Sequence, residues 1–169
     1  LLENLLMWGR TQNNQIKFSP TEFDFYELAI NSIIVNKSVA ENKQIKINID
    51  VAPESIIMAD YNMINTVIRN FVSNAIKFTN VGGEINIKFI KNENEAIIKI
   101  NDTGIGMSSE QVSRLFKIDE NHSTTGTEGE VGTGLGMILC YEFIKKHQGE
   151  RLVNSMINYG TEITVKIPQ

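Results

Sequence analysis

The chain has 169 residues, 41% hydrophobic and 21% charged, which fits one globular domain with a full core and excludes collagen-like and disordered chains. A net charge of −4 offers no clustered positive field, so neither nucleic acid nor an anionic membrane surface is an expected partner. The single cysteine, Cys140, excludes a disulfide framework and a multi-cysteine metal site, and no apolar run approaches the ~18 residues of a membrane span.

The segment opening with Leu1, Leu2, Leu5, Leu6 and Trp8 is apolar at helical spacing and too short to be stable alone. It reads either as a helix end packed on this domain or as the tail of a longer helix. Because the chain opens at Leu1 rather than Met, a longer parent is expected. Gly9 and Thr11–Gln15 form a connector, and Ile16–Phe18 is a short strand stopped by Ser19-Pro20. Phe25–Asn42 reads as one helix capped by Asp24, with Leu28, Ile33, Val35 and Val39 among its apolar positions. Gln44–Val51 alternates apolar and polar residues, as a half-buried strand does. Tyr61–Phe78 is a helix capped by Asp60, its apolar stripe formed by Met63, Ile64, Val67, Ile68, Phe71, Val72, Ala75 and Ile76.

Two alternating runs, Ile85–Ile90 and Ala96–Ile100, flank Asn92–Asn94 as a hairpin. Ser108 with Gln111 three residues on is a capping box for a helix reaching about Phe116. Lys117–Thr133 lacks periodicity and is rich in Gly, Ser, Thr and Glu, which means either a wrongly assigned element or a functional lid. A further helix follows from about Gly134 to His147. The strands Leu152–Ser155 and Thr161–Ile167 then flank a turn at Asn158-Tyr159-Gly160. Strands on one side and helices on the other predict an α/β two-layer sandwich.

Seven of the twelve glycines lie between Gly104 and Gly136, and three features carry chemistry. Asp102-Thr103-Gly104-Ile105-Gly106-Met107 follows a strand; its carboxylate accepts hydrogen bonds only, which suits the amino group of adenine and rejects the guanine carbonyl. Gly104 and Gly106 let the backbone pass close to a flat ring; the alternative is a tight turn with an Asx bond. Gly132-Thr133-Gly134-Leu135-Gly136-Met137 opens a helix and either exposes N–H groups suited to phosphate, without the Gly-Lys-Ser/Thr of a Walker loop, or is simply a loop with packing glycines. Asn70, Asn74 and Lys77 line up on the polar side of their helix: the amides can ligate Mg²⁺ and the lysine can reach a phosphate, or all three simply face solvent.

Together these segments carry a resemblance. Asn70–Thr79 resembles the N box of bacterial sensor histidine kinases and Asp102–Met107 their first glycine box. Arg114-Leu115-Phe116 resembles the F box, Gly132–Met137 the second glycine box, and Gly160-Thr161 the strand motif near the nucleotide. The resemblance implies the Bergerat-type (GHKL) ATP-binding fold shared with gyrase, mismatch-repair and chaperone ATPases, a mixed, mostly antiparallel sheet packed against helices. It implies that residues 1–12 end a dimerisation and phosphoacceptor helix, that residues 13–169 form the ATP-binding catalytic domain, and that the lid is about 117–133. Asn74 would be the principal Mg²⁺ ligand with Asn70 its helper, Lys77 would contact phosphate, and Asp102 would bind the adenine amino group with Thr161 nearby through water. Gly104 and Gly106 would border the adenine pocket. Gly132, Thr133, Gly134, Leu135 and Gly136 would serve the phosphates and the lid hinge, with Phe116 packed under the lid's start.

The implied cofactors are ATP and Mg²⁺. The implied partners are the dimerisation domain and a downstream response regulator, in a cytoplasmic domain of a membrane-anchored, homodimeric sensor. The phosphate-accepting histidine is not matched: His122 reads as an exposed loop residue and His147 as a partner for a helix C-terminal dipole. The expected activity is therefore transfer of the ATP γ-phosphate to a histidine on a separate domain. The alternatives are a GHKL-type ATPase switch, disfavoured because Asn70 stands where a water-activating glutamate would, and a nucleotide-binding pseudokinase module.

Overall fold

The computed structural model describes residues 16–116, 125–130 and 134–169, together with residues 7 and 9. The opening segment, His122 and most of the expected lid therefore lie outside the described residues.

Four-residue strands β1 (Thr21–Asp24) and β3 (Ile56–Ala59) pair antiparallel as a small sheet of their own. The main sheet is five-stranded, ordered β2 (Lys46–Asp50), β4 (Glu84–Lys91), β5 (Glu95–Asp102), β7 (Gly160–Pro168), β6 (Glu150–Met156). Only β2 and β4 run parallel; the other pairs are antiparallel. The fold is thus a mixed, mostly antiparallel sheet. Isoleucines 85, 87, 98, 100, 163 and 167 and Val165 form its buried inner face.

Against that face lies α3 (Tyr61–Phe78), whose buried residues are the eight of the predicted stripe, and Asp60 caps it by accepting from the Met63 N–H. Helix α5 (Leu135–Lys146) packs beside α3, with the Cys140 thiol fully buried against it. Burial of this kind pushes the thiol pKa well up, so Cys140 is a packing residue. Helix α4 (Ser109–Arg114) carries the complete Ser108–Gln111 capping box. At the far end, the Gln169 N–H donates to the Asn94 carbonyl and its side-chain oxygen accepts from the Met58 N–H, which fastens the small sheet to the β4–β5 hairpin.

Two expectations of secondary structure are corrected. The predicted helix over 25–42 is broken into α1 (Phe25–Ile34) and α2 (Lys37–Asn42), and Val35 and Val39 are exposed rather than core. Local polar bonds compete with the helix ladder here: the Ser32 hydroxyl donates back to the Leu28 carbonyl and the Asn36 amide to that of Ser32, beside a β-branched run. Residues 16–18 are not a strand. Side chains hold this stretch instead: Lys146 donates to the Ile16 carbonyl, Phe18 meets His147 edge-on at 4.9 Å, and the Ser19 N–H donates to Asp60.

His147 closes α5, but as a neutral imidazole rather than a charged dipole partner. Its Nε2 accepts from the Asp60 N–H at 2.9 Å, so Nδ1 carries the proton and donates to the Phe143 carbonyl at 2.7 Å. Burial holds its pKa below the ordinary histidine value. The unfolded chain therefore takes up this proton first, and stability is lost as pH falls through about 6.5. Thermal unfolding is expected to lose more stability between pH 7.5 and 5.5 in the wild type than in His147→Gln. Equal losses would refute this linkage.

Candidate functional site

Alternation along β5 turns Ala96, Ile98, Ile100 and Asp102 toward the helices, so a carboxylate ends a row of buried apolar residues. Asp102 is 8% exposed and pairs in register with Ile85 on one side and Thr161 on the other. Its Oδ1 accepts from the Gly104 N–H at 2.9 Å and the Thr161 N–H at 3.3 Å. Burial raises its pKa to about 6 in spite of those two bonds. Oδ2 has no partner among the described residues, which leaves one anionic acceptor available at the strand end.

The turn after Asp102 docks on α3 and on the β6–β7 hairpin. The Ile105 N–H donates to the Phe78 carbonyl at 3.0 Å, and the Asn158 N–H to the Ile105 carbonyl at 2.7 Å. Ser155 joins the pieces: its hydroxyl accepts from the Met107 N–H at 2.8 Å and lies 3.0 Å from the Gly160 carbonyl and 2.8 Å from the Thr161 hydroxyl. A Cβ on Gly104 would collide with the Phe78 carbonyl, and one on Gly106, at φ +63°, with that of Met156. These two glycines are demanded by neighbouring backbone, before any ligand is considered.

On α3, Asn70 donates its amide NH₂ to the Thr66 carbonyl at 2.8 Å and Asn74 donates to the Met137 sulfur at 3.1 Å. Both amides are oriented by these bonds, and Oδ1 of each remains an acceptor. The start of α5 lies over them: Gly134 caps it at φ +69°, Leu135 is its first residue, and a Cβ on Gly136 would sit 2.5 Å from Asn70 Oδ1. Gly132 and Thr133 lie outside the described residues. The Lys77 ammonium is 4.7 Å from the Phe78 ring centroid; partial burial lowers its pKa, and Glu130 acts against that shift. The Asp102 turn therefore reaches the C-terminal end of α3 at Phe78, next to Lys77 and one helical turn beyond Asn74.

Among the described residues, no three His, Cys, Asp or Glu side chains gather as a metal cluster. A hard cation here would rely on the two oriented amide oxygens, phosphate and water, a donor set that suits Mg²⁺. Phe116 sits with its ring 4.3 Å from the Arg151 guanidinium, which also stacks 4.0 Å over Tyr141. A separate depression of about 550 Å³, walled by Ser109, Val112, Ser155, Tyr159 and Thr161, includes none of Asn70, Asn74 or Lys77. Sequence reasoning passed over Ser155 as a bridging hydroxyl, and Thr127 and Glu130 as partners of a buried Lys43. A lysine following a helix gives no local sign of burial.

A carboxylate at a strand end, a helix with two oriented amides, and glycine turns between helices and a mostly antiparallel sheet define a GHKL-type domain. The family profile described as "Histidine kinase-, DNA gyrase B-, and HSP90-like ATPase" matches residues 59–169, and the chain belongs to this family. It is 34% identical over 110 residues to sensor protein SrrB of Staphylococcus aureus, a stretch covering 65% of this chain and 19% of SrrB. The chain thus spans less than a fifth of that relative's length. Among solved structures, the catalytic domain of histidine kinase ThkA aligns with a TM-score of 0.75 at 25% identity, covering 90% of this chain and 96% of ThkA's. Full-length ShkA in complex with AMPPNP aligns with a TM-score of 0.80 at 22% identity, covering 98% of this chain and 34% of that one. The fold is that of histidine kinase catalytic domains. Among the described residues no helix is long and apolar enough to cross a membrane.

Proposed function

We propose that this domain binds MgATP and presents the γ-phosphate to a histidine on a separate dimerisation and phosphoacceptor domain, as the ATP-binding half of a sensor histidine kinase. The observation that carries the reading is Asp102, a buried carboxylate with one oxygen fixed by two backbone N–H groups and the other open. That open oxygen accepts the adenine amino group, with Thr161 beside it. Gly104 and Gly106 shape the adenine side, and the N–H groups at Gly134, Leu135 and Gly136 face the phosphates at the positive end of α5. Gly132 and Thr133 would extend that cradle, and residues 117–133 would form the lid, with Phe116 at its start. Asn74, with Asn70 beside it, would hold Mg²⁺, which would supply positive charge against the phosphates.

Phosphoryl transfer asks the protein mainly for positioning and charge neutralisation, which amides, a lysine and a helix end supply. Asn70 cannot take a proton from water, so hydrolysis is the weaker reading. Residues 1–12 would continue the dimerisation helix. The parent would be a homodimeric, membrane-anchored sensor with this domain in the cytoplasm and a response regulator downstream.

Titration calorimetry of the 169-residue chain tests the reading. ATP is expected to bind more tightly with Mg²⁺ than without, and Asn74→Ala to remove that gain, about tenfold or more, while adenosine affinity stays unchanged. Absence of Mg²⁺-dependent binding in the wild type would overturn the proposal.

A further inference from the structure

Lys43 follows α2 and is 1% exposed, although lysine is almost never fully buried without partners. Its Nζ lies 2.8 Å from the Ile76 carbonyl, 3.1 Å from that of Lys77, 2.6 Å from Thr127 Oγ1 and 3.1 Å from Glu130 Oε1. The two carbonyls belong to the last turn of α3, where helix geometry leaves acceptors unsatisfied and the dipole favours a cation. The other two oxygens come from residues 125–130, far along the chain. This segment is itself tied: the Gly126 N–H donates to the Glu130 carbonyl at 2.9 Å and the Glu128 N–H to Glu130 Oε2 at 2.9 Å. The Thr127 N–H donates to the Lys77 carbonyl at 3.1 Å, and the Thr127 hydroxyl lies 3.2 Å from that carbonyl and 3.1 Å from that of Thr79.

Lys77 is thus gripped twice. Its carbonyl receives Lys43 and Thr127, and its side-chain stem lies against Gly126, where an added Cβ would stand 2.5 Å from Lys77 Cγ. We propose that Lys43 is a positioning residue: it pins residues 125–130 to the end of α3 and so fixes the direction of the Lys77 side chain toward the phosphates. The role toward phosphate rests on the nucleotide reading above. Its burial is the reason a methyl-capped isostere should loosen the segment, since the carbonyls of Ile76 and Lys77 and the Glu130 carboxylate would lose their shared donor.

Lys43→Met in the 169-residue chain is expected to weaken MgATP binding about tenfold and to leave adenosine affinity within about twofold. In a Lys77→Ala background the same change should add less than about twofold, because two residues acting through one group are not additive. Amide hydrogen exchange should quicken about tenfold at Gly126 and Thr127 and stay unchanged at Val67 and Ile68 in the centre of α3. Glu130→Gln, at a partly exposed partner, should show the same pattern more weakly and covers the case in which Lys43→Met fails to fold. Equal losses for adenosine and MgATP, or effects that multiply with Lys77→Ala, would overturn the positioning role. A wild-type chain that binds no nucleotide overturns the nucleotide reading and takes the phosphate role with it. Unchanged exchange at Thr127 in Lys43→Met overturns the pin itself, whatever the chain binds.

Discussion

Asp102→Asn should cost the domain its MgATP affinity, by about 10²-fold or more, and at the same time raise its melting temperature. The two backbone N–H groups of Gly104 and Thr161 both aim at Oδ1, so an asparagine must place its oxygen there and its NH₂ outward. A donor would then face the adenine amino group, itself a donor, where the carboxylate offers an acceptor. GTP, with a carbonyl at that position, should lose less than ATP. Stability moves the other way. Burial raises the Asp102 pKa from the ordinary aspartate value of 3.8 to about 6, so the ionised form costs the fold up to about 3 kcal/mol at neutral pH. Since the folded pKa lies above the unfolded one, the wild type should gain this contribution back as pH falls through about 6 toward 4, while its ATP binding weakens over the same range. Calorimetric titrations, and the difference in melting temperature between wild type and Asp102→Asn at pH 7.5 and 5.5, in which the His147 loss cancels, check both signs. Unaltered ATP affinity in Asp102→Asn would remove the adenine reading.

Gly160→Ala is expected to be the most damaging small substitution in the sheet. Gly160 sits at φ +99°, and a Cβ there would collide with the Asp102 carbonyl oxygen, a backbone atom held in the β5–β7 ladder. A loss of about 3–5 kcal/mol follows, or a melting point lower by roughly 10–15 °C. Gly82→Ala is the control: it also has positive φ, +77°, but open space around the added atom, so only the backbone cost of about 1 kcal/mol remains. If the two variants melt together, close packing of the hairpin on Asp102 is not what requires the glycine.

Long periodic elements were readable from the residues alone. The stripe of α3 needs only 3.6-residue spacing over eighteen residues, and Asp60 and Ser108 announce their helices through local side-chain bonds. The strands of the main sheet were readable for the same reason, because alternation persists over five to nine residues. β1 and β3, at four residues each, are too short to display a period, and their pairing joins segments more than thirty positions apart. The break at Val35–Asn36 turns on a competition between Ser32, Asn36 and the helix ladder that composition does not rank. Glycine is the instructive case in the candidate site. The motif shows that Gly104 and Gly106 matter and allows either glycines facing a ligand or a tight Asx turn, and the Gly104 N–H bond to Asp102 Oδ1 is such a turn. Only the packed structure shows Phe78 and Met156 occupying the space a side chain would need. Lys43 was silent for a similar reason: burial is a property of what arrives from residues 125–130.

The register of β5 with β7 sets Asp102 against Thr161 at one rim of the sheet and Glu95 against Pro168 at the other. Gln169 is anchored at that second rim, about 23 Å from Asp102 by the rise of the intervening strand. A dye or affinity handle attached after Gln169 would hang away from the candidate cleft, so immobilised or labelled protein should titrate with ATP as the unmodified chain does.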